Sequence, residues 1–188
     1  MDLECAQFII KLFSLEFNCN VVILDSLFVN IFNKHDCVGL SIANKRNDLV
    51  KYFTSLSPNL ELGNFLYIAA FSNNTEILDL IIEKEKGSLA RGLFGAIDAQ
   101  NDELINYFVD NGRINNINEF GNALQIASAI GNKKWVEYFL NKIKHPNQNI
   151  NIHHFIYSLN NAIEKGHLDI IQIIWSEINK VKPFYCIE

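Results

Sequence analysis

The chain has 188 residues, of which 49% are hydrophobic and 20% charged, enough to bury a core in one domain or two small ones. A net charge of −5 with scattered Lys and Arg argues against a nucleic-acid-binding surface, so we expect no nucleic-acid partner. The apolar stretch Phe8–Phe32 is interrupted by charged residues and asparagines, which fits neither a signal peptide nor a membrane-spanning helix.

Cysteine and histidine usage predicts no metal site and no cofactor. None of the four cysteines belongs to a C-x-x-C pair: Cys5, Cys19, Cys37 and Cys186. We expect reduced, mostly buried thiols in a cytosol-like compartment. The adjacent His153 and His154 point their side chains apart, which does not suit a shared metal ion.

The first 36 residues predict a capping helix pair. One helix is indicated by the apolar positions of Ala6–Phe13, and Asn20 is placed to cap a second over Val21–Phe32. Terminal units of repeat arrays are normally atypical, which favours a cap. A small separate interaction element is the alternative.

An irregular repeat fills residues 37–180. Its apolar anchors recur at spacings of 28, 27, 31 and 35 residues: Leu49, Ile77, Leu104, Trp135 and Ile170. The first unit aligns with one residue fewer in its turn. Small residues precede the later turns: Ala69 and Ala70, Ala96, Ala127 and Ala162. Each anchor is followed by more bulky apolar residues, so this pattern predicts paired helices. Trp135 and Trp175 are predicted as core residues, with a role as binding hot spots as the alternative.

Such a pattern is explained physically by the stacking of helix pairs on one another. Two short antiparallel helices cannot bury both of their apolar sides alone, whereas stacked pairs share a continuous core. Small residues belong where helices approach closely, and bulky residues fill the space between pairs.

Several segments resemble ankyrin repeats. Asn161–Trp175, NAIEKGHLDIIQIIW, resembles the ankyrin turn A-x-x-x-G-H-L-x-I-(I/V), in which Gly166 takes a positive φ. Val109–Gly112 resembles the L-x-x-G that ends a second helix. Gly121–Ala127 resembles G-x-T-P-L-H-L-A-A with one residue missing, which would open the fourth unit at Gly121. By the same resemblance His167 is structural and bonds backbone at the turn.

The resemblance implies an all-α solenoid of stacked antiparallel helix pairs in a single structural domain. It would comprise about five degenerate repeats over residues 37–180 and a tail over residues 181–188. The usual Thr-Pro at the start of the first helix is absent from every unit. The ankyrin β-hairpin fingers are expected to be reduced or absent, and Arg113–Asn118 is either finger-like or a loop. The longest connection is predicted over Ile143–Ile156. A TPR-like solenoid remains the alternative, as does a longer array of which this chain is one part.

The resemblance also implies a concave face built from the first helices and the connections. The partner-binding residues it indicates there are Phe71, Ser72, Asp98, Ala99, Glu119, Phe120, Asn122, Ala129, Ile130, Glu164 and Lys165. Glu119, Phe120 and Asn122 are assigned to the connection before the fourth unit. Phe71, Phe120 and Ile130 are apolar at expected surface positions, which indicates either a protein interface or burial by irregular packing.

No catalytic set is predicted, so we expect no enzyme. The chain lacks a P-loop and a G-x-S-x-G elbow. Asp98, Asp102 and Glu103 fall in a repeat turn, where carboxylates normally face water. His35 and Cys37 are two residues apart, which on a helix points them in different directions.

The expected function is a non-enzymatic protein-interaction scaffold. The irregular repeats resemble ankyrin-like proteins of host-associated microbes and large DNA viruses, including the multigene-family proteins of African swine fever virus. That resemblance implies a host signalling or immune protein as partner and a cytoplasmic location, in the host cytosol for a viral or secreted protein. The alternative is a structural subunit that self-associates, as a homodimer for example, through its amino-terminal helices.

Overall fold

The computed structural model describes residues 34–55, 59–84, 86–110, 113–114, 116–144 and 152–181. Within these ranges all regular structure is helical, with no strand. The α-helices in chain order are α1 Lys34–Ala43, α2 Asn47–Ser55, α3 Leu66–Phe71, α4 Thr75–Lys84, α5 Ala90–Asp98, α6 Asp102–Asp110, α7 Ile117–Ile130, α8 Lys133–Ile143, α9 Ile152–Lys165 and α10 Leu168–Val181. A short 3-10 helix, Leu62–Phe65, precedes α3. No helix in the described ranges combines the length and apolarity needed to cross a membrane.

The helices pack as pairs, which confirms the all-α prediction and the predicted helix pairing. Each odd-numbered helix contacts the even-numbered helix that follows it, from α1 with α2 to α9 with α10. Each odd-numbered helix also contacts the next odd-numbered one, so α1, α3, α5, α7 and α9 form a continuous row. We call these five the first helices. The predicted capping pair lies outside the described residues, apart from the start of α1 at Lys34.

One turn geometry joins the two helices of every pair. The left-handed residue in each turn is Lys45, Asn73, Gln100, Gly131 or Gly166. The amide of the next residue donates to the carbonyl oxygen five residues back, at 2.8–3.0 Å in all five pairs. This is the Schellman arrangement, which satisfies carbonyl groups at a helix end. The first turn is as long as the others, so the prediction of one residue fewer there was wrong.

Small buried residues stand at the same point of each first helix, four positions before the left-handed residue. They are Ser41, Ala69, Ala96, Ala127 and Ala162, and none is more than 4% exposed. The prediction found the four alanines and missed Ser41. Gly95 marks the closest approach between first helices, since a Cβ there would lie 2.2 Å from the Tyr67 carbonyl oxygen.

The fourth pair begins earlier than predicted. Helix α7 starts at Ile117, after Asn116, whose side-chain oxygen accepts a hydrogen bond from the Asn118 amide at 2.9 Å. Gly121 is therefore inside the helix. A Cβ at this position would lie 2.4 Å from the His154 ring, so the glycine reflects close packing of α7 on α9 and not a helix start.

Three predicted connection residues consequently need correction. Glu119, Phe120 and Asn122 all lie in α7. The longest connection is also shorter than predicted, because α9 already begins at Ile152.

The two tryptophans differ in burial. Trp135 on α8 is only 2% exposed, as predicted. Trp175 on α10 is 51% exposed, so its prediction as a core residue was wrong. Helix α10 belongs to the last described pair, and no later described pair packs against it. His167 has the structural role implied for it, since its Nε2 lies 3.1 Å from the Ala129 carbonyl oxygen of the preceding pair.

Candidate interaction surface

A row of solvent-accessible side chains runs along the first helices. It occupies positions nine, six and two before the left-handed residue of each turn, which share one helix face because they are three and four residues apart. Over four successive pairs these residues are Asn64, Tyr67, Phe71, Arg91, Phe94, Asp98, Asn122, Gln125, Ala129, Tyr157, Asn160 and Glu164. All are exposed or half-buried. We call this set the first-helix stripe.

Hydrogen bonds connect neighbouring helices along the stripe. The Tyr67 hydroxyl on α3 donates to the Asp98 carboxylate on α5. The Arg91 guanidinium donates to the Asn64 side-chain oxygen at 2.9 Å. These contacts join residues from successive pairs, so the stripe is one continuous surface at this point.

At one end of the stripe, an aromatic pair lies beside a carboxylate. The rings of Tyr67 and Phe71 stack with centroids 6.1 Å apart and an interplanar angle of 5°. Partial burial, together with the hydrogen bond and charge of Asp98, raises the pKa of Tyr67 to about 12. The phenol therefore stays protonated at neutral pH and keeps donating to Asp98. Phe71 is 51% exposed, which leaves its ring available for contact.

An open groove of about 1220 Å³ adjoins the stripe. Its lining comes from α2, the connection after α2, the end of α4, α5 and the start of α7. Four stripe residues belong to that lining: Asn64, Arg91, Phe94 and Asn122. The stripe and the groove therefore form one accessible region.

The groove lining carries charges of both signs. Lys51, Lys84 and Arg91 contribute cations, while Glu61 and Glu119 contribute carboxylates. Lys51 also forms an ion pair with Glu76 outside the groove, with the Nζ and the carboxylate oxygen 2.9 Å apart. A mixed polar lining beside exposed aromatic rings suits contact with another protein.

The structure brings only some of the predicted partner-binding residues together. It brings Phe71 and Asp98 together through Tyr67, and it places Glu119 and Asn122 in the groove. Phe120 is half-buried and packs on Phe139, with ring centroids 6.3 Å apart. The remaining predicted residues lie at helix ends, and two of them, Ala129 and Glu164, belong to the first-helix stripe.

The other members of the predicted face lie at helix ends. The Ser72 hydroxyl donates to the Ile68 carbonyl oxygen at 2.8 Å. Ile130 is half-buried and packs against the core, and Ala99 and Ala129 are also half-buried. Glu164 and Lys165 are exposed at the end of α9.

The prediction missed Tyr67, Arg91 and Phe94, although the sequence contained a signal for them. Tyr67 lies four residues before Phe71, and Phe94 and Arg91 lie four and seven residues before Asp98. Residues at those spacings share a helix face. Extending the predicted positions back by one and two helical turns would have found them.

A polar network around the buried His154 lies between α7 and α9, next to the stripe. The Gln125 side-chain amide donates to His154 Nδ1 at 3.0 Å, and His154 Nε2 lies 3.1 Å from the Asn118 side-chain oxygen. These partners suit a neutral ring with its proton on Nε2. Burial lowers the pKa of His154 below its ordinary value of 6.5, and the charge of His153 lowers it further.

This shift predicts acid sensitivity. With the folded pKa below the unfolded value, the contribution of His154 to stability is complete above pH 6.5 and is lost as the pH falls through the folded pKa. We expect unfolding titrations of the native chain to show a steeper loss of stability between pH 7 and pH 5 than those of His154→Gln. His153→Gln, at an exposed neighbouring position, removes only the smaller of the two causes of the shift, so this variant should keep most of the pH-dependent loss. Parallel profiles for the native chain and His154→Gln would contradict the prediction.

The structure shows the surroundings of two residues that the sequence analysis considered for catalysis, Asp102 and Cys37. Asp102 accepts hydrogen bonds from Lys134 Nζ at 2.7 Å and from Trp135 Nε1 at 2.6 Å, which hold the pKa of Asp102 below its ordinary value. Burial raises the pKa of the Cys37 thiol, and the charge of Asp36 raises it further. Among the described residues, no three His, Cys, Asp or Glu side chains are grouped so as to hold a metal ion.

Comparison of the chain with protein-family models, with curated proteins and with solved structures gives no match.

Proposed function

We propose that this chain is a non-enzymatic protein-interaction scaffold, and that its partner binds the first-helix stripe and the adjoining groove. The observation that supports this most directly is the stacked, exposed Tyr67 and Phe71 pair beside Asp98. Tyr and Phe are enriched at protein interfaces, and Tyr is among the residues that dominate their binding energy. The groove widens the accessible region beyond these three residues.

The same proposal includes an ankyrin-like solenoid with reduced or absent fingers. Three features support it: the row of first helices, the recurring Schellman turns and the small buried residue four positions before each turn. Solenoids of this kind commonly act through an extended surface that runs across several repeats. Because a fold does not by itself specify a function, the assignment to binding depends on the surface chemistry of the stripe.

A host signalling or immune protein is the partner class that we propose, in the cytosol. This rests on the sequence resemblance to ankyrin-like proteins of host-associated microbes and viruses. The second candidate is a structural subunit that self-associates through its amino-terminal helices, for which the apolar stretch Phe8–Phe32 is the motivation.

The test places a photo-crosslinking phenylalanine analogue at position 71 in the full chain, in host-type cell lysate. The matched control places the analogue at Tyr107, which is 43% exposed on a second helix. We expect position 71 to yield a stoichiometric adduct that position 107 does not. Phe71→Ser should then weaken binding of the identified protein at least about tenfold, as for an interface hot spot. Tyr107→Ser should leave binding unchanged.

The single substitution at Phe71 is preferable to a triple one, because Phe120 and Ile130 pack against the core and their replacement would disturb folding. Equal adducts from both positions, or full binding by a folded Phe71→Ser variant, would contradict the proposed face. Light scattering of the pure chain addresses the second candidate. A stable oligomer without any foreign adduct would favour self-association.

A further inference from the structure

The side of each helix pair that faces the next pair can be identified from contacts. A Cβ at Gly121, ten positions before its left-handed residue, would meet His154 of the next pair. The carbonyl oxygen of Ile42, three positions before, accepts a hydrogen bond from the Asn74 side chain of the next pair at 3.1 Å. Asp102, two positions after, bonds Lys134 and Trp135 of the next pair. We call this side the distal face of a pair.

The distal face of the earlier pairs is covered. Three positions before the left-handed residue, the side chains are at most 1% exposed, namely Ile42, Ala70, Ile97 and Ser128. Ten positions before, Ala90 and Gly121 are buried. Nine positions after, Leu140 is 2% exposed, and the equivalent Thr54, Ile82 and Val109 are half-buried.

The last described pair, α9 with α10, has large apolar residues at the same positions. Ile163 is 56% exposed, Ile156 is 40% exposed and Trp175 is 51% exposed. Leu168 is 72% exposed at the position of Thr75, Asp102 and Lys133, which are also exposed but polar. A terminal repeat that faced water would normally carry polar residues on this side. The apolar character of this distal face therefore indicates that another segment or molecule packs on it.

The chain itself continues past α10 for seven residues, 182–188. Pro183 disfavours continuation of the helix, and the residues after it include Phe184, Tyr185 and Ile187. Seven residues span at most roughly 25 Å. That length exceeds the roughly 21 Å of the 14-residue helix α10. The segment is thus long enough to return along α10 past Trp175.

A second copy of the chain is a weaker candidate than residues 182–188 for the group that packs on the distal face of α9 and α10. In the contacts between described pairs given above, the distal face of one pair meets the opposite side of the next pair. A tethered segment also has an effective local concentration of the order of millimolar, which a free second copy at lower concentration does not reach.

We propose that residues 182–188 form a carboxyl-terminal cap on the distal face of α9 and α10, with Phe184, Tyr185 and Ile187 as its apolar contacts. This proposal is independent of the proposed partner-binding role.

The test uses the fluorescence of Trp175 in the full-length chain. Trp135→Phe leaves Trp175 as the single tryptophan. In this background we compare Phe184→Ser/Tyr185→Ser/Ile187→Ser with a control, Lys182→Ser/Glu188→Ser, which changes only charged residues of the segment. The apolar triple variant should shift Trp175 emission to the red and raise acrylamide quenching severalfold, while the control should match its parent. The folding equilibrium constant should also fall at least about tenfold.

Trp175 emission and quenching that are the same in the parent and the triple variant would overturn the proposal. Protection of Trp175 that depends on protein concentration and survives the triple substitution would assign the face to a second copy instead.

Should the triple variant fail to fold, the native Cys186 can be used to measure how close residues 182–188 lie to α9. Ile156→Cys should form an intrachain disulfide with Cys186 on mild oxidation, whereas Glu137→Cys, on the exposed side of α8, should not. Peptide mapping that finds no link between positions 156 and 186 would equally overturn the proposal.

Discussion

Replacing Gly95 by alanine is expected to destabilise the fold by about 2–3 kcal/mol, the upper part of the range for overpacked cores. The new Cβ would lie 2.2 Å from the Tyr67 carbonyl oxygen and 3.1 Å from the Phe71 amide nitrogen. Both are backbone atoms of α3, so no side-chain rotation can relieve the contact. Helices α3 and α5 would have to separate, and urea unfolding measures the consequence.

Gly39→Ala is the matched control, since Gly39 also lies within a first helix. The nearest atoms to a Cβ there belong to the Phe65 side chain, at 3.6 Å, which is an ordinary contact distance. Alanine should therefore stabilise α1 by about 0.5–1 kcal/mol through its higher helix propensity. Equal effects of the two substitutions would show that the close approach at Gly95 is not important for stability.

The Gly95 substitution should also affect the proposed binding surface. Tyr67 and Phe71 project from the segment of α3 that Gly95 contacts. A shift of α3 relative to α5 would disturb the hydrogen bond between Tyr67 and Asp98. Close helix packing and the geometry of the first-helix stripe thus depend on the same glycine.

Trp135→Ala is expected to have the larger effect, about 3–5 kcal/mol of the free energy of unfolding, as for other buried aromatic residues. Trp135 is 2% exposed, and its ring stacks on Phe139 with centroids 5.8 Å apart. Its Nε1 donates to Asp102 at 2.6 Å, which connects α8 to α6 of the preceding pair. Removal leaves a cavity and an unmade hydrogen bond at one junction between pairs. Urea or thermal unfolding followed by circular dichroism gives the value.

Two further variants separate the contribution of the hydrogen bond to Asp102 from that of ring burial. Trp135→Phe keeps an aromatic ring and removes the bond to Asp102, so we expect a loss nearer 1 kcal/mol plus a small packing term. Tyr107→Ala removes a half-exposed ring from α6 and should change stability by about 1 kcal/mol or less. A loss for Trp135→Ala no greater than that for Tyr107→Ala would refute its assignment to the core.

The periodic positions of small and apolar residues were sufficient to predict the helix pairs. Ala96 and Ala127 were recognisable because only a small side chain fits where helices touch, and Ile77 and Trp135 because each begins a run of bulky residues. Such signals are local and recur in every unit. The left-handed residues of the five turns have the spacings that the sequence predicted, 28, 27, 31 and 35 residues.

Other features depend on which residues meet across different pairs, and no local pattern contains that information. Gly121 suggested a helix start, yet its role is to leave room for the His154 ring, which lies 33 positions later in the chain. Trp175 and Leu140 occupy equivalent positions, nine residues after their left-handed residues, but differ in burial, because α10 packs against α8 and no later described helix packs against α10. The pairing of Tyr67 with Asp98 likewise joins residues 31 positions apart.

The sequence by itself therefore determined the helical class, the pairing of helices and the buried face of each one, since these follow from spacing along a single chain segment. Only the tertiary structure decided where first helices touch, which aromatic side chains remain exposed on the first-helix stripe, and that the last pair has an apolar distal face. The physical reason is that burial is a property of neighbours in space, and the neighbours of a repeat are set by the repeats on either side of it.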